Sequence, residues 1–177
     1  MNFLSNARRP NSGAGDQHPQ EAVIRPVTEA DLAAVERLDR AVFGSACYPA
    51  FVVRQLFDAH GHHMLALDTP TGLHGYVLLA TARGWDTGWI LSLGVEEPWR
   101  QKGYGRRLLS QCLRDLVDRD LREVRLSVEE GNDAAVQLYR SLGFVPIGNR
   151  ADYLGPGEDR LIMALPVAGT AGTAPGR

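Results

Sequence analysis

One junction constrains this chain more than any other part of it. The hexapeptide Arg100-Gln101-Lys102-Gly103-Tyr104-Gly105 lies between an apolar, strand-like run (Trp89 to Val95) and an amphipathic, helix-like run (Arg106 to Val117). Trp89, Leu91, Leu93 and Val95 alternate as one face of a strand does, and Leu108, Leu109, Cys112, Leu113, Leu116 and Val117 recur as a helical stripe does. Two glycines let a backbone turn tightly and approach a ligand without a Cβ in the way, while the unpaired N–H groups of a helix start present partial positive charge. Such a junction suits a pyrophosphate. Spacing alone is weak evidence, since a comparable glycine pattern arises by chance in roughly one chain in five of this length. The order strand, glycine turn, helix is what gives it weight.

Composition removes several classes of function. A chain of 177 residues with 44% hydrophobic and 23% charged residues can bury a core as one domain without staples. The net charge of -2 leaves no basic footprint, which argues against nucleic acid or an anionic membrane as the main partner. Lys102 is the only lysine and lies inside the glycine turn, either by chance on an exposed loop or as an anion contact. Cys47 and Cys112 are too few for a disulfide framework, and Cys112 falls on its helix's apolar stripe, so a reducing, cytoplasmic setting is expected. No membrane span and no secretion signal are expected.

Met1 to Gln20 and Val167 to Arg177 are rich in small and polar residues and read as flexible tails around one domain from Glu21 to Pro166. Within it, Ala22 to Val27 reads as a strand. Thr28 and Asp31 make an approximate capping box for a helix whose apolar face is Leu32, Val35, Leu38 and Val42. Phe51 to Ala59 is a shorter helix. His63 to Leu67 and Gly75 to Thr81 are strands joined through turn residues Asp68 to Gly72, and with Trp89 to Val95 they suggest an antiparallel meander. Glu123 to Val128 carries Val124, Leu126 and Val128 on one face and follows a helix, so it should lie parallel to its predecessor. Asn132 to Leu142 reads as a helix ended by Gly143, and Phe144 to Gly148 and Asp159 to Leu165 as a last pair of strands. The expected class is mixed α/β with a single sheet flanked by helices.

Two blocks in order, L-S-L-G-V-E-E-P-W-R-Q-K-G-Y-G-R-R-L-L and L-S-V-E-E-G-N-D-A-A-V-Q-L-Y-R-S-L-G-F, resemble the GCN5-related N-acetyltransferases, the GNAT acyltransferases, over roughly Ala22 to Leu165. The resemblance implies a mixed, mostly antiparallel sheet whose central parallel strands, the fourth and fifth, splay into a slot for the pantetheine arm of acetyl-CoA as co-substrate. Leu93, Gly94 and Val95 match the stretch that pairs with the pantetheine amides, as in strand addition. Arg100, Gln101, Lys102, Gly103, Tyr104 and Gly105 match the pyrophosphate cradle. Asn132 matches an asparagine that reaches the cofactor arm, although asparagine is also a favoured helix N-cap. Tyr139 matches a tyrosine beside the thioester sulfur.

Acetyl transfer to an amine requires a neutral amine, a stabilised oxyanion and a proton for the departing thiolate. A phenol is protonated at neutral pH, so Tyr139 is the candidate acid, with a purely packing tyrosine as the alternative. A backbone N–H near Gly94 or Val95 would meet the oxyanion, where a strand glycine suggests a bulge or a close backbone approach. The base is not evident: Ile90, Ser92 and Gly94 offer no carboxylate, and Ser127 stands where relatives that acetylate ribosomal-protein N-termini have a glutamate. Among Glu96, Glu97, Glu129 and Glu130, Glu129 is favoured because it ends the fifth strand. The acceptor, a small-molecule amine or a protein amino group, should meet Cys47 to Phe57 and the loop Arg150 to Gly157. There Tyr153 is either a substrate contact or the loop's anchor. His60, His62 and His63 lack a carboxylate or cysteine at ligand spacing and read as a solvated turn, with no metal expected. A non-catalytic acyl-CoA-binding module is the competing function. Oligomeric state, a homodimer included, is left open.

Overall fold

The computed structural model describes residues 22–82, 84, 86–116 and 121–167. The tail expected at 1–20, all of the tail expected at 167–177 except Val167, and Val117 of the helical stripe lie outside the described residues. Seven strands, β1 (Val23–Pro26), β2 (Met64–Thr69), β3 (Gly72–Ala80), β4 (Thr87–Val95), β5 (Glu123–Val128), β6 (Val145–Arg150) and β7 (Arg160–Pro166), form one sheet in the order β1-β2-β3-β4-β5-β7-β6. β2, β3 and β4 make the expected antiparallel meander and β1 extends it antiparallel to β2; β4 and β5 are parallel, and β7 inserts antiparallel between β5 and β6. The connection from β4 to β5 passes through a helix, as a parallel pair requires.

Among the described residues four α-helices cover the faces: α1 (Leu32–Phe43), α2 (Ala50–His60), α3 (Tyr104–Arg114) and α4 (Asp133–Ser141). The capping box forms, with the Thr28 N–H and hydroxyl both donating to Asp31 Oδ2 at 2.8 Å, but a single 3₁₀ turn intervenes before α1. Arg25 clamps the same carboxylate while also reaching Asp68, which ties the α1 entry to β1 and β2. Two apolar layers result. On one face, Leu108, Leu109 and Cys112 of α3 and Val136 and Tyr139 of α4 pack on Val77, Ile90, Val124 and Leu126. On the other, Val35 and Leu38 of α1 and Val53 of α2 pack on Met64, Ala66, Tyr76 and Leu78.

Two expectations change. The β2–β3 turn is tighter than Asp68 to Gly72, because Thr69 pairs with Gly72 and its hydroxyl accepts the Thr71 N–H at 3.1 Å. The histidines are not a fully solvated turn: His62 is exposed, but His63, in the 3₁₀ turn just before β2, is 5% exposed.

Candidate active site

The β4–β5 pairing runs only from Thr87 with Glu123 to Ile90 with Leu126. Beyond that point β4 remains paired with β3 as far as Val95, and β5 remains paired with β7 as far as Val128. Leu91 to Val95 therefore present an unpaired edge toward Ser127 and Val128, and the sheet opens into a fork. The cause is local. The β3 register steps from Leu78 opposite Ser92 to Leu79 opposite Ile90, so Leu91 is the extra residue of a β-bulge. A bulge bends and overtwists its strand and ends regular pairing.

The bulge also corrects the predicted strand face. Ile90, Leu93 and Val95 pack on the α3 side, whereas Leu91 turns to the α1 side. Gly94 is not the bulge. A Cβ there would lie 3.3 Å from both Phe43 and Val42, so its small size serves the close approach of α1.

The predicted anion cradle lies where β4 ends. Gln101 (φ 58) and Gly103 (φ 80) both take left-handed backbone, an unfavourable conformation for glutamine that commonly marks functional turns. Among the described residues, the N–H groups from Gln101 to Arg106 meet no protein acceptor, and the first to close is Arg107 on the Gly103 carbonyl at 3.0 Å. Six successive amides at a helix start carry partial positive charge and unmet donors, the two properties an anion would complement. Arg100 serves the frame, donating from Nε to the Val95 carbonyl at 2.8 Å. Beneath the turn, Trp99 stacks on His74 at 4.4 Å and contacts Tyr104 at 5.6 Å, and Lys102 Nζ sits 5.5 Å from the Trp99 ring centre. The two glycines differ. A Cβ on Gly103 would meet nothing within 4 Å, so backbone angle demands glycine there; at Gly105 it would make ordinary contact with Leu138 at 3.4 Å.

Asn132 caps α4, its Oδ1 accepting the Ala135 N–H at 3.1 Å, and its side-chain N–H groups keep no acceptor among the described residues. Tyr139 is 8% exposed and packs edge-on against Phe144 at 5.9 Å. Burial pushes its pKa up to about 12, so the phenol stays protonated. Among the described residues its hydroxyl makes no hydrogen bond, which leaves that proton uncommitted.

The four glutamates separate. Glu96 Oε2 accepts from His74 Nδ1 at 2.7 Å and is committed to bracing the turn. Glu97 lies in the exposed 3₁₀ turn after β4, while Glu129 and Glu130 are exposed just past β5. Tyr153, 41% exposed, does not anchor its loop. That work falls to Asp152, whose Oδ1 accepts the Gly157 N–H at 2.6 Å, and to Asp159, which accepts the Asp152 N–H at 2.9 Å.

Sequence reasoning missed Asp39, Tyr48 and Tyr76. Asp39 is buried and accepts from Tyr76, and the Tyr48 hydroxyl donates to the Leu91 carbonyl at 3.1 Å. A signal existed: Asp39 stands seven residues after Leu32 and four after Val35, an acid on an apolar stripe.

The chain resembles known proteins throughout. An N-alpha-acetyltransferase of Sulfolobus acidocaldarius is 28% identical over 155 residues, 81% of this chain and 92% of that one. A [Ribosomal protein bS18]-alanine N-acetyltransferase of Escherichia coli is 34% identical over 86 residues, 47% of this chain and 58% of that one. The structure of the NatC complex bound to Gag peptide and CoA superposes with a TM-score of 0.74 at 23% identity, covering 83% of this chain and 99% of that one. Among the described residues no helix is long and apolar enough to cross a membrane. The forked sheet agrees with a match of residues 31–144, well over half the chain, to the acetyltransferase (GNAT) family model, and the chain belongs to that family as an acetyltransferase enzyme.

Proposed function

We propose that the protein transfers an acetyl group from acetyl-CoA directly to a primary amine, the α-amino group of a protein N-terminus. The observation that carries the donor half is the fork itself, an unpaired β4 edge leading straight into six unpaired amides. An extended, amide-bearing chain ending in a pyrophosphate complements both parts. The acceptor half is supported by similarity to an N-alpha-acetyltransferase over most of the chain and by the exposed Tyr153 on a braced loop.

Acetyl-CoA supplies the activated acyl thioester. The amides from Gln101 to Arg106 hold its pyrophosphate, and Leu93 to Val95 align its arm as an added strand. The free N–H groups of Asn132 steady that arm. A backbone N–H near Gly94 or Val95 meets the charge that develops on the carbonyl oxygen. Tyr139 donates its proton to the departing thiolate, as a C–N bond replaces the C–S bond. Glu129, exposed at the mouth of the fork, takes the amine proton through water. Glu96 is held by His74, and Glu129 is assigned the role because it directly follows the end of β5.

Acetyl-CoA at about 100 times its Kd should stabilise the protein by about 2.7 kcal/mol, a melting shift of about 5–10 °C. Free-CoA release should then be fastest with peptides carrying free N-termini. Absence of any shift would refute the donor site; turnover of small amines or lysine side chains alone would refute the α-amino assignment.

A further inference from the structure

Asp39 is 0% exposed, and among the described residues no cationic side chain lies within ion-pair distance of it. Its partners are donors. The Tyr48 N–H reaches one carboxylate oxygen at 2.6 Å and the Tyr76 hydroxyl reaches the other. The Tyr76 oxygen accepts from Ser92 Oγ at 2.6 Å, and the Tyr48 hydroxyl donates to the Leu91 carbonyl. Both branches therefore leave one carboxylate and end on adjacent residues, Leu91 and Ser92, where the bulge parts β4 from β5.

A buried carboxylate without a counter-ion is costly, and an apolar residue would complete the α1 stripe at lower cost. What the acid provides is direction. Burial, and then the contact with Asp39, holds the Tyr76 pKa well above the ordinary tyrosine range, and burial followed by the Asp39 charge raises that of Tyr48. Both hydroxyls stay donors, so the sense of each branch is set.

We infer that Asp39 is a positioning residue for acetyl transfer: through Tyr76–Ser92 and Tyr48–Leu91 it fixes the bulge and so aims the free β4 edge, Leu93 to Val95, into the fork. It rests on the fork being the acetyl-CoA slot.

Tyr76→Phe and Ser92→Ala cut one branch, Tyr48→Phe cuts the other, and Asp39→Asn keeps the shape while forcing one donor to reverse. In the full chain, with the best acceptor from the peptide and amine screen, Tyr76→Phe and Asp39→Asn should lower kcat by about tenfold or more. The KM for acetyl-CoA and the calorimetric Kd for CoA should stay within about threefold. Amide hydrogen exchange at Leu93 to Val95 should quicken. The Tyr48→Phe/Ser92→Ala double variant should lose less than the product of the single losses, because both act on one bulge. Folded variants with wild-type kcat and wild-type exchange would overturn the role of Asp39 alone. A wild-type chain that binds no acetyl-CoA would overturn the functional proposal as well.

Discussion

Replacing each cradle glycine by alanine should move stability in opposite directions. Gly103 takes φ 80 with open space around its missing Cβ, so Gly103→Ala suffers no clash and meets only the left-handed backbone penalty. That penalty is about 1–2 kcal/mol, which for a domain of this size lowers the melting temperature by about 2–8 °C. Gly105 lies in the first turn of α3, where an added Cβ makes ordinary contact with Leu138. Alanine exceeds glycine by up to about 1 kcal/mol in a helix interior, and somewhat less near an end, so Gly105→Ala should be neutral or stabilising. Differential scanning calorimetry of the free protein reads both signs. Calorimetric titration with acetyl-CoA then separates backbone from ligand. Gly103→Ala should weaken binding by about five- to thirty-fold if the turn must relax to another shape, following the same 1–2 kcal/mol. Wild-type stability in Gly103→Ala would refute the conformational account, and wild-type affinity in that variant would remove the turn from the cradle.

Tyr139→Phe should keep the fold and CoA affinity while lowering kcat by about a hundredfold or more in steady-state assays, the usual scale of a general acid. Asn132→Ala should cost about 1 kcal/mol of cap stability in thermal melts. Asn132→Ser should restore that stability through its hydroxyl while leaving CoA affinity reduced, since the amide N–H groups are still gone. On the alkaline side, Tyr139 is raised from its ordinary 10 to about 12, so its neutral form is favoured by folding. Its contribution is fully present below pH 10 and is lost as pH rises through 12, a loss that Tyr139→Phe should abolish in denaturant melts at stepped pH. At the acid end, Arg25 holds the Asp31 carboxyl well below its ordinary range, so stability present above about pH 4 should fall as pH drops, less so in Asp31→Asn.

Much of the fold was legible because its signals are local. The stripe of α3 at Leu108, Leu109 and Cys112, the alternation of Val124, Leu126 and Val128, and the cap at Asn132 each depend on residues a few positions apart, and these appear as read. The cradle was legible for the same reason, since a left-handed glycine and a helix start are properties of six consecutive residues. Errors arose where a neighbour in space, not in sequence, decides. The face of Leu91 could not be read from alternation, because a bulge is a mismatch between two strands and exists only once β3 is laid beside β4. That Gly94 gives room to α1, and is not the bulge, emerged only once α1 was placed against it. Glu96 was one of four candidate carboxylates in the sequence until His74, from another strand, engaged it.

The amino-acid order by itself determined the succession of elements, the left-handed glycine turn at the start of α3 and the candidate acid, because periodicity, capping and glycine chemistry act over short stretches of chain. Tertiary structure alone decided where β4 leaves β5, that Glu96 is engaged by His74, and that the acid on the α1 stripe is a buried hub tied to the bulge. Those depend on which distant groups share a hydrogen bond, and burial makes each such partnership obligatory once the chain has packed.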